Sequence, residues 1–143
     1  MAFVNRRVVT IDWGDCDAAG IVFYPRYFAM FDGSTHALLA AALGYRKPAM
    51  IARFGIVGVP MVDTRARFLV PSTFGDDVTI ESQVTKFGRS SIDLLHRLYR
   101  EGGVLGIECW ETRVWAAPDP SRAGAIKGVP VPAEVRAALG HAQ

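Results

Sequence analysis

Between Pro25 and Gly44 runs a stretch with the punctuation of a long helix and almost no charge, and it limits the fold more than any other part of the chain. Pro at the first helical position and Gly just past the last are the expected start and stop. Across residues 26–43 the only Lys, Arg, Asp or Glu side chains are Arg26 and Asp32. Tyr27, Phe31, Ser34, Leu38 and Ala41 fall on one face, while Gly33, Ala37, Ala40, Ala41 and Ala42 are small enough for other backbone to approach closely. A helix apolar nearly all round is buried on most sides. The rest of the chain is therefore expected to wrap around this one.

What remains has the material to do so. Residues 3–13 are β-rich and end at the turn-forming run Gly14-Asp15-Cys16-Asp17-Ala18-Ala19-Gly20. After a variable segment at 46–54, strands are expected over 57–70, 78–85, 91–100 and 104–117. The second of these alternates cleanly, with Val78, Ile80 and Val84 against Thr79, Glu81, Gln83 and Thr85. Glu101-Gly102-Gly103 is a hairpin turn signal. Strands linked by short turns argue for an antiparallel sheet, and a short helix at 132–139 completes the expected order. The fold class is α+β: one curled antiparallel sheet wrapped around one long apolar helix, in a single domain spanning 1–143.

Composition narrows the function. Half the residues are apolar and 21% charged, an ordinary globular balance with none of the charge excess of a disordered chain. No basic stripe interleaved with aromatics occurs, which argues against nucleic acid as a partner. Apolar runs stop well short of the ~18 residues a membrane span needs, and the first residues lack a signal-peptide pattern, so a cytoplasmic protein is expected. Cys16 and Cys109 fit no zinc spacing and no disulfide framework. Walker, GxGxxG and GxSxG motifs are absent, against nucleotide hydrolysis, dinucleotide cofactors and the serine-hydrolase fold.

Chemistry concentrates where the first strand meets the helix. Asp17 lies in a Gly-flanked loop, where Asp commonly serves as a turn residue bonding nearby amides. Amides around Phe23 and Tyr24, at the positive end of a helix dipole, can also polarise a carbonyl. A carboxylate and an amide cradle across one loop could hydrolyse an ester or thioester. Cys16 is the rival nucleophile, but carboxylates on both sides would raise its pKa rather than lower it. A metal site from Asp15, Asp17 and a histidine is the other rival, with no recognisable ligand spacing. Asp32 and His36, four apart, share a helix face: they form either a local hydrogen-bonded pair or one wall of a pocket in which Asp32 accepts from a substrate hydroxyl. His96, in register with Leu94 and Leu98, reads as a satisfied core histidine.

The run from Asp12 to Phe28, Asp-Trp-Gly-Asp-Cys-Asp-Ala-Ala-Gly-Ile-Val-Phe-Tyr-Pro-Arg-Tyr-Phe, resembles the opening motif of the 4-hydroxybenzoyl-CoA thioesterase family. That motif runs from a strand through Gly-Asp-x-Asp-x-x-Gly to an aromatic-Tyr-Pro step into a long helix. Gly55-Ile56-Val57-Gly58-Val59-Pro60-Met61 resembles a second family segment, and the likeness extends to about Pro132. The resemblance implies a hot-dog fold, a homodimer or homotetramer with sites at subunit interfaces, and thioester hydrolysis without metal. Coenzyme A enters only as part of an acyl-CoA substrate. It implies Asp17 as the catalytic carboxylate, acting as nucleophile or general base, and the Tyr24 amide as the group polarising the thioester carbonyl. Tyr27, Asp32, Val59, Pro60 and Met61 are implied to lie against the acyl group. Arg89, Ser90 and Ser91 in one turn, with Lys127, are implied to hold the CoA phosphates.

The expected reaction is hydrolysis of an aromatic acyl-CoA, a hydroxybenzoyl-CoA or close relative, to free acid and CoA. A short-chain aliphatic acyl-CoA is the rival within the same chemistry. A hot-dog hydratase or dehydratase, and a non-catalytic binding module, are the rivals from other classes.

Overall fold

The computed structural model describes residues 1–140, so the last three residues of the expected 1–143 domain lie outside the described residues. Helix α1 spans Tyr24–Leu43, starting one residue before Pro25, where the sequence pattern puts its first position. It ends at Gly44, whose φ of 78° is the left-handed cap conformation that a side chain disfavours. Its Tyr27, Met30, Phe31, Ser34, Thr35, Leu38 and Leu39 are buried.

Strands β1 (Asn5–Thr10), β2 (Met61–Phe68), β3 (Asp77–Phe87), β4 (Ser91–Arg100) and β5 (Val104–Val114) form one antiparallel sheet in the order β1-β3-β4-β5-β2. The sheet curls over the helix, giving the expected hot-dog arrangement. Val9 of β1, Val78 and Ile80 of β3, Leu98 of β4, Ile107 and Cys109 of β5 and Ala66 of β2 all meet Tyr27, Met30 and Phe31 in one core cluster. A second cluster around Leu38, Leu39, Met50, Val84, Leu94 and Trp115 fills the other end.

Three details correct the sequence reading. The helix is buried along one side only within a single chain: Ala29, Asp32 and Ala41 are exposed, and alanines tolerate this because they present little apolar surface. The strand expected over 57–70 begins only at Met61: before it Gly58, at φ 147°, makes an isolated bridge to Ala116, and Pro60 has no N–H to extend the ladder. This β2 does not form a hairpin with β3; it crosses to the far edge and pairs with β5, Ala66 opposite Cys109.

Two more helices and two short strands complete the described chain. The segment 46–54 contains helix α2 (Lys47–Phe54), with Pro48 in its first turn and Gly55 as its cap. The strand expected to end at 117 breaks at Trp115, and β6 (Ala116–Pro118) pairs with β7 (Ile126–Gly128) in a separate ribbon. Helix α3 (Ala133–Ala138) closes the described chain, as expected.

Phe31 is fully buried and stacks on the His96 ring, centroids 5.3 Å apart. Phe31→Ala should lower unfolding free energy by about 3–5 kcal/mol, read from the urea midpoint at constant slope.

Candidate active site

The loop into α1 is built by its own polar groups. Asp12 and Asp15 cap the 3-10 turn Trp13–Asp15 reciprocally. The Asp17 N–H donates to Ile21 O at 3.0 Å and the Phe23 N–H to Asp15 O at 2.8 Å, so residues 15–17 and 21–23 run antiparallel as two short arms. Asp17 sits at the tip of one arm, and the other leads straight into Tyr24. Asp17 Oδ1 accepts the Ala19 N–H at 2.8 Å, while Oδ2 has no partner among the described residues. Asp17 is thus a turn residue with one carboxylate oxygen free. It lies in an open cleft of about 560 Å³ with Trp13, Cys16, Ala18, Gly20, Thr73 and Phe74. Trp13 and Phe74, edge to face at 5.7 Å, are both exposed there.

Tyr24 opens a helix of 20 residues, Pro25 follows with no N–H to offer, and the Tyr24 N–H finds no acceptor among the described residues. A free amide at the positive end of that helix attracts an oxygen carrying partial negative charge. Cys16, half-buried, directs Sγ at Asp12 O, 3.8 Å away, and no cation contacts it.

A second cleft, of about 310 Å³, collects Asp32 and His36 of α1, Lys47 of α2, Val57, Gly58, Val59, Pro60 and Met61 of the segment into β2, Arg113 of β5 and Ile126 of β7. Four of the five residues expected against the acyl group therefore line one cavity. Tyr27 does not: it is buried beneath the helix start, where its hydroxyl accepts the Ser72 N–H at 3.0 Å.

The floor of this cleft is a buried polar chain that the sequence reading largely missed. Arg113 Nε donates to Glu111 Oε1 at 2.8 Å, its NH1 to Val59 O at 3.1 Å and its NH2 to Asp32 Oδ1 at 2.8 Å. Behind it, Thr35 Oγ1 donates to Glu111 Oε1 at 2.7 Å. That hydroxyl has a single proton, so its 3.1 Å contact with His96 Nε2 requires an N–H on the histidine. His96 Nδ1 meets Ser82 Oγ at 2.6 Å. His96 is the satisfied core histidine expected, but part of a network reaching the cleft. Burial alone would push the Glu111 carboxyl up; hydrogen bonds from His96 and Arg113, and their charges, outweigh it and bring it down to about 2. The same ion pairing raises the Arg113 pKa against the opposing effect of burial. Alternating residues of a strand share a face, so Glu111 and Arg113 two apart on an inward register were the legible signal for this pair.

His36 Nδ1 bonds the Asp32 backbone O at 2.8 Å, and its contact with the carboxylate is 3.7 Å, so the pair is local and also walls the cleft.

A third region gathers the expected CoA-binding residues. The turn between β3 and β4 is tied down by Trp115 N–H to Ser90 O at 2.7 Å and Val131 N–H to Arg89 O at 2.9 Å. Ser90 packs on Gly128, beside Lys127, and leaves no room for a side chain there. Ser91 packs its hydroxyl over Gly88 instead. Arg136 of α3 adds a guanidinium not anticipated from the sequence, donating to Gly88 O at 2.6 Å and lying over the Phe87 ring. Among the described residues no group of acidic, Cys and His side chains is arranged to hold a metal, and no helix is long and apolar enough to cross a membrane.

Comparison with known proteins bears on this arrangement. The profile of the Thioesterase-like superfamily matches residues 11–139. The 4-hydroxybenzoyl-CoA thioesterase of Pseudomonas sp. strain CBS-3 is 35% identical over 129 residues, covering 87% of this chain and 89% of that protein. Its structure superposes with a TM-score of 0.85 over 94% of this chain and 98% of that one. A gentisyl-coenzyme A thioesterase structure, 30% identical, gives 0.79 over 92% and 99%. A 1,4-dihydroxy-2-naphthoyl-CoA hydrolase of Synechococcus elongatus is 32% identical over 88 residues, 62% of this chain and 64% of that protein.

Glu111 is ionised and paired in the folded chain and has an ordinary carboxyl pKa near 4.5 once unfolded. A depressed folded pKa contributes stability that is complete above about 4.5 and is lost as pH falls toward 2. Urea midpoints measured across this window should therefore fall less steeply for Glu111→Gln than for wild type. At pH 7 the same substitution, by leaving Arg113 without its buried partner, should cost about 3–5 kcal/mol.

Proposed function

This chain belongs to the Thioesterase-like superfamily and is an acyl-CoA thioesterase of hot-dog fold, and from that premise we propose that it hydrolyses an aromatic acyl-CoA to the free acid and CoA. The observation that carries the reading is the juxtaposition at the loop into α1. Asp17, with one oxygen free, lies on one arm of a short antiparallel loop whose other arm runs into the unpartnered Tyr24 N–H.

In the proposed reaction the thioester carbonyl oxygen takes the Tyr24 N–H, where the helix dipole stabilises the charge that develops on it. Asp17 either attacks the carbonyl carbon or accepts a proton from the attacking water. A C–O bond forms, the C–S bond breaks, and CoA leaves as a thiolate that is then protonated. If Asp17 is the nucleophile, water cleaves the acyl-enzyme anhydride in a second step. No metal or resident cofactor takes part.

The aromatic group is assigned to the cleft of Asp32, Val59, Pro60 and Met61, with Asp32 accepting from a ring hydroxyl. The CoA phosphates are assigned to Arg89, Ser90, Ser91 and Lys127, with Arg136 close by. Three relatives whose names specify hydroxylated aroyl-CoA esters support the aromatic assignment over a short aliphatic chain. Tyr27, buried under the helix start, is proposed to shape the site only through packing.

Within one chain the Asp17 and Asp32 clefts have no lining residue in common. Phe23, Tyr24, Phe68 and Leu69 are exposed around the helix start, and β2 has a free sheet edge. These features support a homodimer or homotetramer in which a second copy covers the apolar surface and completes each site. The two free thiols suit the reducing cytoplasm.

Release of free thiol from 4-hydroxybenzoyl-CoA, benzoyl-CoA and butyryl-CoA tests the reading. We expect preference for the hydroxylated aroyl ester and at least a 10²-fold lower kcat for Asp17→Asn. Preference for butyryl-CoA would overturn the aromatic assignment, and full activity in the variant would remove Asp17 from the chemistry.

A further inference from the structure

The aromatic cleft offers more than one acceptor. Asp32 Oδ1 is held by Arg113 NH2 at 2.8 Å, which fixes the carboxylate plane and leaves Oδ2 toward the 3.7 Å contact with His36. His36 Nδ1 faces the Asp32 main-chain oxygen at 2.8 Å. A carbonyl oxygen only accepts, so Nδ1 carries the proton and the neutral ring keeps its lone pair on Nε2. No protein partner for Nε2 occurs among the described residues. Both side chains line the same cavity, one helical turn apart.

Charge at this floor favours a donor ligand as well. Arg113 is shared by two carboxylates, Glu111 behind it and Asp32 in front, so these three groups together carry a net negative charge. Lys47 is exposed at the cavity rim rather than paired with them. A ring substituent that is itself anionic would meet Asp32 directly, whereas a hydroxyl would donate to it.

We propose that His36 is a second specificity-determining residue, whose Nε2 joins Asp32 Oδ2 as a pair of acceptors selecting aryl thioesters that carry two ring hydroxyls. This deepens the aroyl-CoA reading above and rests on it. A site built to accept two hydroxyl protons discriminates against a ring lacking one of them, because a desolvated acceptor is then left without a partner.

The test compares kcat/KM for 4-hydroxybenzoyl-CoA with 3,4-, 3,5- and 2,5-dihydroxybenzoyl-CoA. It uses the full-length wild type, His36→Phe and His36→Gln. For wild type at least one dihydroxy ester should exceed the monohydroxy ester by about fivefold or more. His36→Phe keeps a ring but no acceptor and should bring that quotient close to one. His36→Gln, whose amide oxygen can stand near the lost nitrogen, should restore part of it. A merely structural role would lower the values for all esters together and leave the quotient in place, which would overturn the proposal. So would a wild-type quotient at or below one. Hydrolysis confined to aliphatic esters would instead remove the aroyl reading on which the proposal depends.

Discussion

Arg113 is the point at which the structure is tied together. A guanidinium presents its donors in a fixed planar fork, and here the fork reaches three separate parts of the chain at once. It holds Glu111 on its own strand, Asp32 on the helix and the Val59 carbonyl on the segment entering β2. The helix, the sheet and the irregular segment 55–60 are thereby fixed relative to each other where their junction opens as a cleft. Removing a charge from water costs several kcal/mol unless paired and hydrogen bonded. The network meets that demand by surrounding Glu111 with Arg113, Thr35 and His96 and seating His96 on Ser82.

The same network lies well away from the start of the helix it binds. The N-terminal end of α1 is left free of capping side chains, with Phe23 as its cap residue and Pro25 in its first turn. The Arg26 N–H turns back to Phe23 O at 2.8 Å, which leaves the Tyr24 N–H without an acceptor among the described residues at the end the Asp17 loop approaches. About two to three turns further on, the polar residues Asp32, Ser34, Thr35 and His36 interrupt the apolar pattern, and each has a partner. In the proposed reaction the first region would meet the reacting carbonyl and the second the group attached to it. The helix is rigid, so the distance between the two is set by its 1.5 Å rise per residue.

The elements missed from the sequence share a physical cause. Helix α2 and the β6–β7 ribbon are short, eight and three residues per element, so periodicity has little length in which to declare itself. Pro48 and Gly55 did mark the ends of α2. The partner of β2 is a different matter. An edge strand exposed along nearly its whole length, as β2 is, carries no hydrophobic alternation strong enough to name its neighbour. Tyr27 shows the converse: its placement in the opening motif pointed to a binding role, whereas its hydroxyl is spent on the Ser72 amide in the core.

The sequence by itself determined the architecture and marked the loop to which the proposed reaction assigns the chemistry. A long helix with hardly any charge has to be covered, and alternating strands joined by short turns are what can cover it; the Gly-flanked Asp17 loop next to Pro25 follows from local turn and helix-start rules. These are short-range properties, written in neighbouring residues. Only the tertiary structure decided that Asp32, Val59, Pro60 and Met61 share one cavity, that Arg113 lies beneath it, and that Arg136 returns from the last helix to the turn before β4. Those contacts join residues about 50 to 80 positions apart. Their geometry depends on the register of β5 against β4 and on where β2 crosses, and no local pattern encodes either.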